Sequence, residues 1–562
     1  MSARHAIVAL GLVLLSLGHG SARAAWGDPA RATEAMVASA HPLATEAGRA
    51  ILAAGGSAVD AAIAVSFALS VVEPWSSGLG GGGFMVVSQG GVVTTFDMRE
   101  MAPAAATRDM YVVDGAMDAR ASTRGMRSAG VPGLVRGLVA AWRRFGKLPL
   151  PLVMRPAITL ARDGFPASPR LAASIAAAEA DLNPAARAVF LPGGEAPAVG
   201  RTIVQADLAA ALARIAASEG EDFYVGETAR LLVAGVRAEG GLWTDADLAG
   251  YKVVERAPVR GTYAGYDIVS MGPPSSGGVL LVQMLGVLER LSRDGPRPSW
   301  LGAEWQHRLA EVMKRAFALR ASGLADPDFF PVDMQRFTGA ATIDRIAAEV
   351  RAAKSATPAS AIGTVEVKER LDTTHFSIVL GNGDGVAMTQ TINLGFGAAA
   401  VAPGTGVVLN DEMDDFAGMP GVPNAFGLLG DEANAIAPGK RPLSSMTPTL
   451  VLKDGRVVGS FGSPGGSRII STTLQVLLRV VDDGLDPAEA LGAPRIHHQW
   501  YPDRLEVEPM GVAPETRARL EALGHKVHQA AYMGNAMALW RRADGVLEGA
   551  ADPRGEGHAA GL

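Results

Sequence analysis

A free hydroxyl and a free amine on one residue could attack an acyl group without help from a second side chain. The run Thr373-Thr374-His375-Phe376-Ser377 is where this chain could expose such a residue. Before it, Ser360–Asp372 reads SAIGTVEVKERLD, a polar tail after a Pro/Ala-rich tract. After it, Phe376–Leu380 alternates and then turns apolar, as a strand does. A cut between Asp372 and Thr373 would give Thr373 an α-amine able to activate its own hydroxyl. Taken alone, the pentapeptide reads as an ordinary Thr-rich strand start.

Other groups that could do chemistry stand near it in the chain. Thr389-x-Thr391-x-Asn393 places three polar side chains at period two, on one face of a strand. A solvated strand face has the same pattern. Asn410–Phe416 (NDEMDDF) is an acidic turn without the spacing of a calcium-binding EF-hand, and its carboxylates could hold an ammonium. Ser444-Ser445 supplies paired hydroxyls. Gly462–Arg468 (GSPGGSR) opens a helix, so consecutive glycine N–H groups could converge on an oxyanion; a plain glycine turn is the alternative. In the first half, Asp97-Met98-Arg99-Glu100 ends a strand with a cation. Arg99 could clamp a carboxylate with its planar fork, although on its own a surface ion pair is the simpler reading.

These groups need a large scaffold, and 562 residues at 48% hydrophobic content supply one. The net charge of -6 and the lack of a basic stripe argue against nucleic acid. With no cysteine, a thiol nucleophile and thiolate metal sites are excluded. No H-E-x-x-H pattern occurs, and the adjacent His497 and His498 would point to opposite faces of a strand, so no metal is expected. Residues 1–24 read as a signal peptide: Arg4 and His5, the apolar Ala6–Leu17, then Ala22-Arg23-Ala24 as cleavage site. No later segment is apolar for 18 residues. The expected destination is the periplasm or the medium.

Helices are expected at Ala44–Ala54, ending at Gly55-Gly56, and then after Ser57, with Asp60 in the first turn. The turn Glu73–Gly83 leads to a strand pair, Phe84–Ser88 and Val92–Met98. Gly78–Gly83 matches G-x-G-x-x-G, but it follows a helix and opens a strand. It is therefore read as a site of close backbone packing and not as a dinucleotide loop. Further helices are expected at Leu134–Phe145, Leu152–Asp163, Leu171–Leu182, Asp207–Glu219, Thr228–Glu239, Ala303–Ser322 and Ile470–Asp483. Tyr251–Ser270 is strand-like, short strands recur at Val386–Thr391, Thr449–Leu452 and Val457–Ser460, and Ala352–Asp372 is the best linker. Helices around sheets, with strands clustered late, predict an α+β layered sandwich.

Assembled in order, these pieces resemble the γ-glutamyltranspeptidase family from about Ala44 onward. The shared runs include EPWSSGLGGGGF, FDMREMAPAAATRDM, GVPGLVRGL, RFGKLP, PPSSGG, TTHFS, TQTINLGFG, LNDEMDDF, RPLSSMTPT, GSPGGSR, PRIHHQW and ADPRGEG. The resemblance implies a four-layer αββα sandwich of the N-terminal-nucleophile hydrolase type. It implies self-cleavage at Asp372–Thr373 into a large subunit, 25–372, and a small catalytic subunit, 373–562, that stay together as a heterodimer in one αββα unit. By position, Thr373 is the nucleophile, Thr391 supports it, and Gly465 and Gly466 form the oxyanion hole. Arg99, Ser444 and Ser445 hold a substrate α-carboxylate; Asn393, Glu412 and Asp415 hold its α-ammonium. The implied substrates are glutathione and other γ-glutamyl compounds, with water or amino-acid and peptide amines as acceptors, and no cofactor.

Met419–Pro438 resembles a lid loop, with Phe426 where the bacterial relatives compared have Tyr. A Phe cannot hydrogen-bond near Asn393, so lid closure is expected to rest on packing alone. Two rival readings stand beside this one. A cephalosporin or glutaryl-type acylase would need an acyl pocket without the ammonium clamp. A periplasmic binding protein would keep the pocket and remain a single chain.

Overall fold

The computed structural model describes residues 27–293, 295–359, 373–509 and 511–562. The expected signal peptide and the Asp372 side of the expected cleavage site lie outside these residues.

Two seven-stranded antiparallel sheets face each other. The first runs His558–Gly561, Ala35–Ser39, Thr374–Leu380, Gly385–Thr391, Gly82–Gln89, Val92–Asp97 and Val254–Arg256. The second runs Ala30–Ala32, Leu547–Ala551, Met537–Arg541, Arg456–Gly462, Thr449–Lys453, Tyr266–Ser270 and Val259–Tyr263. Helices Pro42–Ala53 and Ala58–Val72 cover the first sheet; Gly277–Ser292 and Arg468–Val481 cover the second. The result is the α+β, four-layer αββα sandwich expected above. No described helix is long and apolar enough to cross a membrane.

Sequence chemistry explains the helices that fix the first sheet. Ser57 and Asp60 form a reciprocal capping box, so both orphan N–H groups at that helix start are satisfied. Every residue of Ala58–Val72 is buried, which matches its all-round apolar composition. Side chains then alternate along the strand after Thr373. Phe376 and Ile378 join the core shared with the Ala58–Val72 helix. Between the sheets runs a polar ladder: His375 bonds Thr389 at 2.8 Å and Ser377 at 3.1 Å, and Ser460 donates to Ser377 at 2.8 Å. Burial pushes the His375 imidazole down to about 3, so it is a neutral packing element there.

The glycine turn behaves as the packing element it was read to be. A Cβ on Gly81 would lie 2.0 Å from the carbonyl oxygen of Thr391, and one on Gly80 would lie 2.2 Å from that of Val408. Only bare backbone lets these segments cross.

Several expectations shift. Leu134–Phe145 matches its predicted span, and the other predicted helices differ by a few residues at their ends. Tyr251–Ser270 is three strands, Val254–Arg256, Val259–Tyr263 and Tyr266–Ser270. The buried helix Gly277–Ser292 shows no polar face to give a period, so it left no signal. Asn393 lies beyond the end of its strand at Thr391, with φ +77, so the three-residue polar face is in fact two residues and a turn. The first part of the predicted linker is anchored. Ala352 closes the helix Ala340–Ala352, and Thr357 gives its N–H and hydroxyl to Glu311 at 3.0 and 2.6 Å.

Because Gly81 leaves no room beside Thr391, Gly81→Ala should lower stability by about 1–3 kcal/mol, the usual range for overpacking. A thermal unfolding midpoint equal to the parent's would contradict this packing.

Candidate functional site

The first sheet carries the expected nucleophile just ahead of its third strand, Thr374–Leu380, beside the central strand Gly385–Thr391. The register pairs Thr374 with Gln390, which sets Thr373 beside Thr391. Their hydroxyl oxygens are 2.9 Å apart. Thr391 Oγ1 also accepts the N–H of Asn393 at 2.8 Å, so the turn after the strand fixes its rotamer. On the other face, Thr374 donates to the buried Glu73 at 2.7 Å and locks the strand start to the Ala58–Val72 helix end. Thr373 itself has φ +114, an unfavourable region for a β-branched residue.

One small cavity of about 20 Å³ gathers nearly all of the residues read from the sequence. Thr373, Thr391, Asn393, Arg99, Glu412, Asp415, Ser444, Ser445 and Gly466 line it, with Phe426 among the others. Gly465 is next in the chain, at φ +126, and Gly466 is at φ +54. The helix that follows starts at Arg468, whose N–H bonds the Gly465 carbonyl at 3.0 Å. A roomier cavity of about 570 Å³ lies elsewhere, near Leu291 and Leu523, and shares none of these residues.

Arg99 is not on the surface; it is 0% exposed. The surface ion-pair reading fails because the strand end is covered by the acidic turn, which is itself a buried 3-10 segment, Glu412–Asp415. The fork is fully engaged: Nη1 pairs with Glu412, Nη2 with Asp415 at 2.5 Å, and Nε donates to the Pro442 carbonyl at 3.2 Å. Glu100 stands 3.5 Å away. Burial alone would lower the pKa of the guanidinium, but Glu412, Asp415 and Glu100 outweigh burial and raise it. One cation among three carboxyls leaves negative charge in excess. Burial, and then repulsion from its acidic neighbours, therefore holds Glu412 well above the ordinary carboxylate range, and burial lifts Glu100 to about 7.

The lid corrects a further expectation. Phe426 does pack on the glycine pair: a Cβ on Gly466 would come within 2.4 Å of its ring. Closure does not rest on packing alone, because the lid backbone is also tied. Ala425 N–H donates to Asp414 at 3.0 Å, Asn424 to Asp415 at 3.3 Å, and Gln499 to the Phe426 carbonyl at 3.2 Å. These ties run to Asp414, Asp415 and Gln499 and not to Asn393.

The serine pair has a scaffold that sequence reasoning missed. Ser275 donates to the Met446 carbonyl at 2.7 Å, Ser276 to the Ser444 carbonyl at 2.7 Å, and Ser444 N–H to the Pro274 carbonyl at 2.8 Å. The signal was the PPSSGG run, noted as a motif with no partner assigned. His497 and His498 part as expected: His497 bonds Ser471, and His498 faces Asp503. One His/Glu group does form away from the cavity, at His307, Glu311 and His525. Its donors are spent on one another and on the chain: His307 bonds His525 at 2.7 Å, and Glu311 accepts from Lys314, Arg315 and Thr357.

Comparison with known proteins identifies the family. The family model described as gamma-glutamyltranspeptidase matches residues 44–562. The glutathione hydrolase proenzyme of Escherichia coli (strain K12) is 45% identical over 533 residues, covering 94% of this chain and 91% of that protein. The acylase ACY 1 proenzyme of Pseudomonas sp. (strain SE83) is 39% identical over 544 residues, covering 94% of each. Among solved structures, the cephalosporin acylase from Bacillus halodurans superposes with a TM-score of 0.83 at 28% identity, covering 96% of this chain and 98% of that one. The chain belongs to the γ-glutamyltranspeptidase family.

Proposed function

We propose that this protein is a self-processing γ-glutamyl hydrolase and transferase acting on glutathione and related γ-glutamyl compounds. The observation that carries the reading is the Thr373–Thr391 hydroxyl pair, 2.9 Å apart, in one cavity with a buried cation, two carboxyls, two serines and Gly466. That set matches a zwitterionic donor with an acyl group placed at a nucleophile.

Processing comes first. The Thr373 hydroxyl attacks the Asp372 carbonyl, the peptide C–N bond breaks, and water hydrolyses the resulting ester. The backbone at φ +114 favours this, because cutting the peptide bond releases a strain of about 1–3 kcal/mol. The products are a large subunit, 25–372 after signal removal, and a small one, 373–562, in a periplasmic or secreted enzyme.

In catalysis the new α-amine, with a reference pKa of ~7.7–8.0, takes the hydroxyl proton as Oγ1 attacks the γ-amide carbonyl. The oxyanion is met by the N–H groups of Gly465 and Gly466. The amine passes its proton to the leaving group, and a γ-glutamyl ester remains on Thr373. Water then gives glutamate, and an amino-acid or peptide amine gives transfer. Donor binding exchanges ion pairs: the ammonium goes to Glu412 and Asp415, with Asn393 beside them, and the carboxylate to Arg99, Ser444 and Ser445. Each charge taken from Arg99's present pairs is replaced by one from the donor, so no buried charge is left bare.

The acylase reading is favoured by the ACY 1 relative and the Bacillus halodurans structure. A glutaryl donor brings no ammonium, however, and would leave Glu412 and Asp415 unanswered. Rates on γ-glutamyl and glutaryl anilides decide between them. The γ-glutamyl donor should win by more than tenfold in kcat/KM, about 1.4 kcal/mol for the charge match; parity or the reverse order would overturn the reading.

Thr373→Ala should remain one inactive chain, and Thr373→Ser should process and keep part of the activity, since one hydroxyl serves both steps. N-terminal sequencing of the small wild-type fragment should begin Thr-Thr-His-Phe-Ser. An Ala variant that hydrolyses γ-glutamyl anilide near the wild-type rate would place the nucleophile elsewhere.

Arg99→Lys should process and lose activity in kcat/KM, because an ammonium cannot reproduce the planar fork. Arg99→Ala should lose about 2–5 kcal/mol, or one and a half to four decades. It should also lose stability, more at about pH 8 than at about pH 5. The sign follows from the acids: with the cation gone, burial holds their folded pKa above the unfolded value of ~4.3, so the folded state binds more protons and weakens as pH rises. Melting curves of parent and variant at both pH values test this, and a deficit that shrinks toward pH 8 would contradict it.

A further inference from the structure

A second buried cation stands behind the serine pair. Arg320 is the last residue of the helix Ala303–Arg320, where the helix dipole favours positive charge, and it is 5% exposed. Its Nε donates to Ser276 Oγ at 2.9 Å and its Nη2 to Ser445 Oγ at 3.3 Å. Both acceptors are neutral. Among the described residues no carboxylate lies within ion-pair distance of it. Asp415 supports its charge through space, but that carboxylate is already taken by Arg99. Burial lowers the Arg320 guanidinium to about 10, so it is still charged at neutral pH.

An unpaired buried cation is costly, by several kcal/mol, unless an anion answers it. The structure indicates where that anion would sit. Ser276 Oγ accepts from Arg320 and donates onward to the Ser444 carbonyl, so the guanidinium braces the loop that carries both serines. Ser445 Oγ accepts from Arg320, so its own proton is free to point elsewhere, and Ser445 lines the cavity. The oxygen is thus occupied from behind, and the hydroxyl is set as a donor toward an anion in front. Hydrogen bonds in such a chain strengthen one another, more so in a site shut off from water.

Resting on the γ-glutamyl reading, we propose that Arg320 is a positioning residue for the donor carboxylate: it orients the Ser445 hydroxyl as a donor and adds, behind the serine pair, a second positive charge to the one Arg99 offers. The PPSSGG loop then has a function, since it holds Ser276 between this cation and the Ser444 main chain.

Three anilide donors separate the terms. γ-Glutamyl anilide has both charged groups, glutaryl anilide has only the carboxylate, and 4-aminobutyryl anilide has only the ammonium. On processed enzyme, Arg320→Met should raise KM at least about tenfold for the two carboxylate donors, the scale of one lost charge contact. It should leave kcat/KM for the 4-aminobutyryl donor within about threefold, well short of that loss. Arg320→Lys, which keeps charge, should recover most of the difference. Arg320→Gln, which can still bond Ser445 but is neutral, should not. Should Arg320→Met fail to process, the Lys and Gln variants carry the same comparison. An equal fall for all three donors would make Arg320 merely structural, and unchanged KM values would remove it from carboxylate binding; either result overturns the proposal. Wild-type preference for glutaryl over γ-glutamyl anilide would instead sink the reading of function, and it would leave the Arg320 comparison readable because both donors carry the carboxylate.

Discussion

Everything at the site depends on how the strand Thr374–Leu380 is registered between Ala35–Ser39 and Gly385–Thr391. A one-residue slip would turn Thr373 to the opposite face and put Phe376 and Ile378 between the polar walls of the sheets. The register is fixed from both faces. Thr374 is bonded to Glu73 on the helix side, and His375 and Ser377 to Thr389 and Ser460 on the sheet side. The bare backbone of Gly80 and Gly81 lets the neighbouring turns close against Thr391 and Val408. The proposed nucleophile, Thr373, is thus positioned by sheet geometry, and the Thr391 hydroxyl arrives with it.

The second constraint is charge. Arg99 is shared among Glu412, Asp415 and Glu100 in a buried volume, and the excess of acids over cations is eased by the raised proton affinity of Glu412 and Glu100. A lone anion taken by Arg99 would leave a displaced carboxylate bare. A zwitterion can exchange into the cluster. The lid follows the same logic, because the Ala425 N–H is tied to Asp414 and the Asn424 side-chain amide to Asp415, the turn that would receive the ammonium. Phe426 then lies over Gly466 and closes the cavity to its small volume.

Much of this was legible in local sequence. Ser57 with Asp60, the glycine-rich turn, the helix at Leu134–Phe145 and the strand start at Thr373 each carry their signal within a few residues. The candidate groups were legible by type, and the fold brings them to one cavity. What was not legible is pairing across the chain. Arg99 reads as a surface residue because its partners are more than 300 positions away. Ser275 and Ser276 look like turn residues until Ser444 and Met446 lie beside them. Arg320 closes an ordinary amphipathic helix, and nothing near it in sequence marks it as buried without a carboxylate. Asn393 continued an alternating pattern, but its φ of +77 takes it off the strand. The lid ties from Ala425 and Asn424 involve main chain and an amide, which the choice of Phe or Tyr at 426 does not reveal.

The central claim is that one hydroxyl, at Thr373, becomes acylated by the donor. It is tested most directly by trapping. Processed enzyme is mixed with a γ-glutamyl anilide, quenched in acid within one turnover and mapped by peptide mass spectrometry. The account predicts a γ-glutamyl adduct on the small-subunit peptide that begins at Thr373, with fragmentation placing it on that residue. An adduct on any other residue, or a burst of released aniline with the Thr373 peptide unmodified, would contradict it.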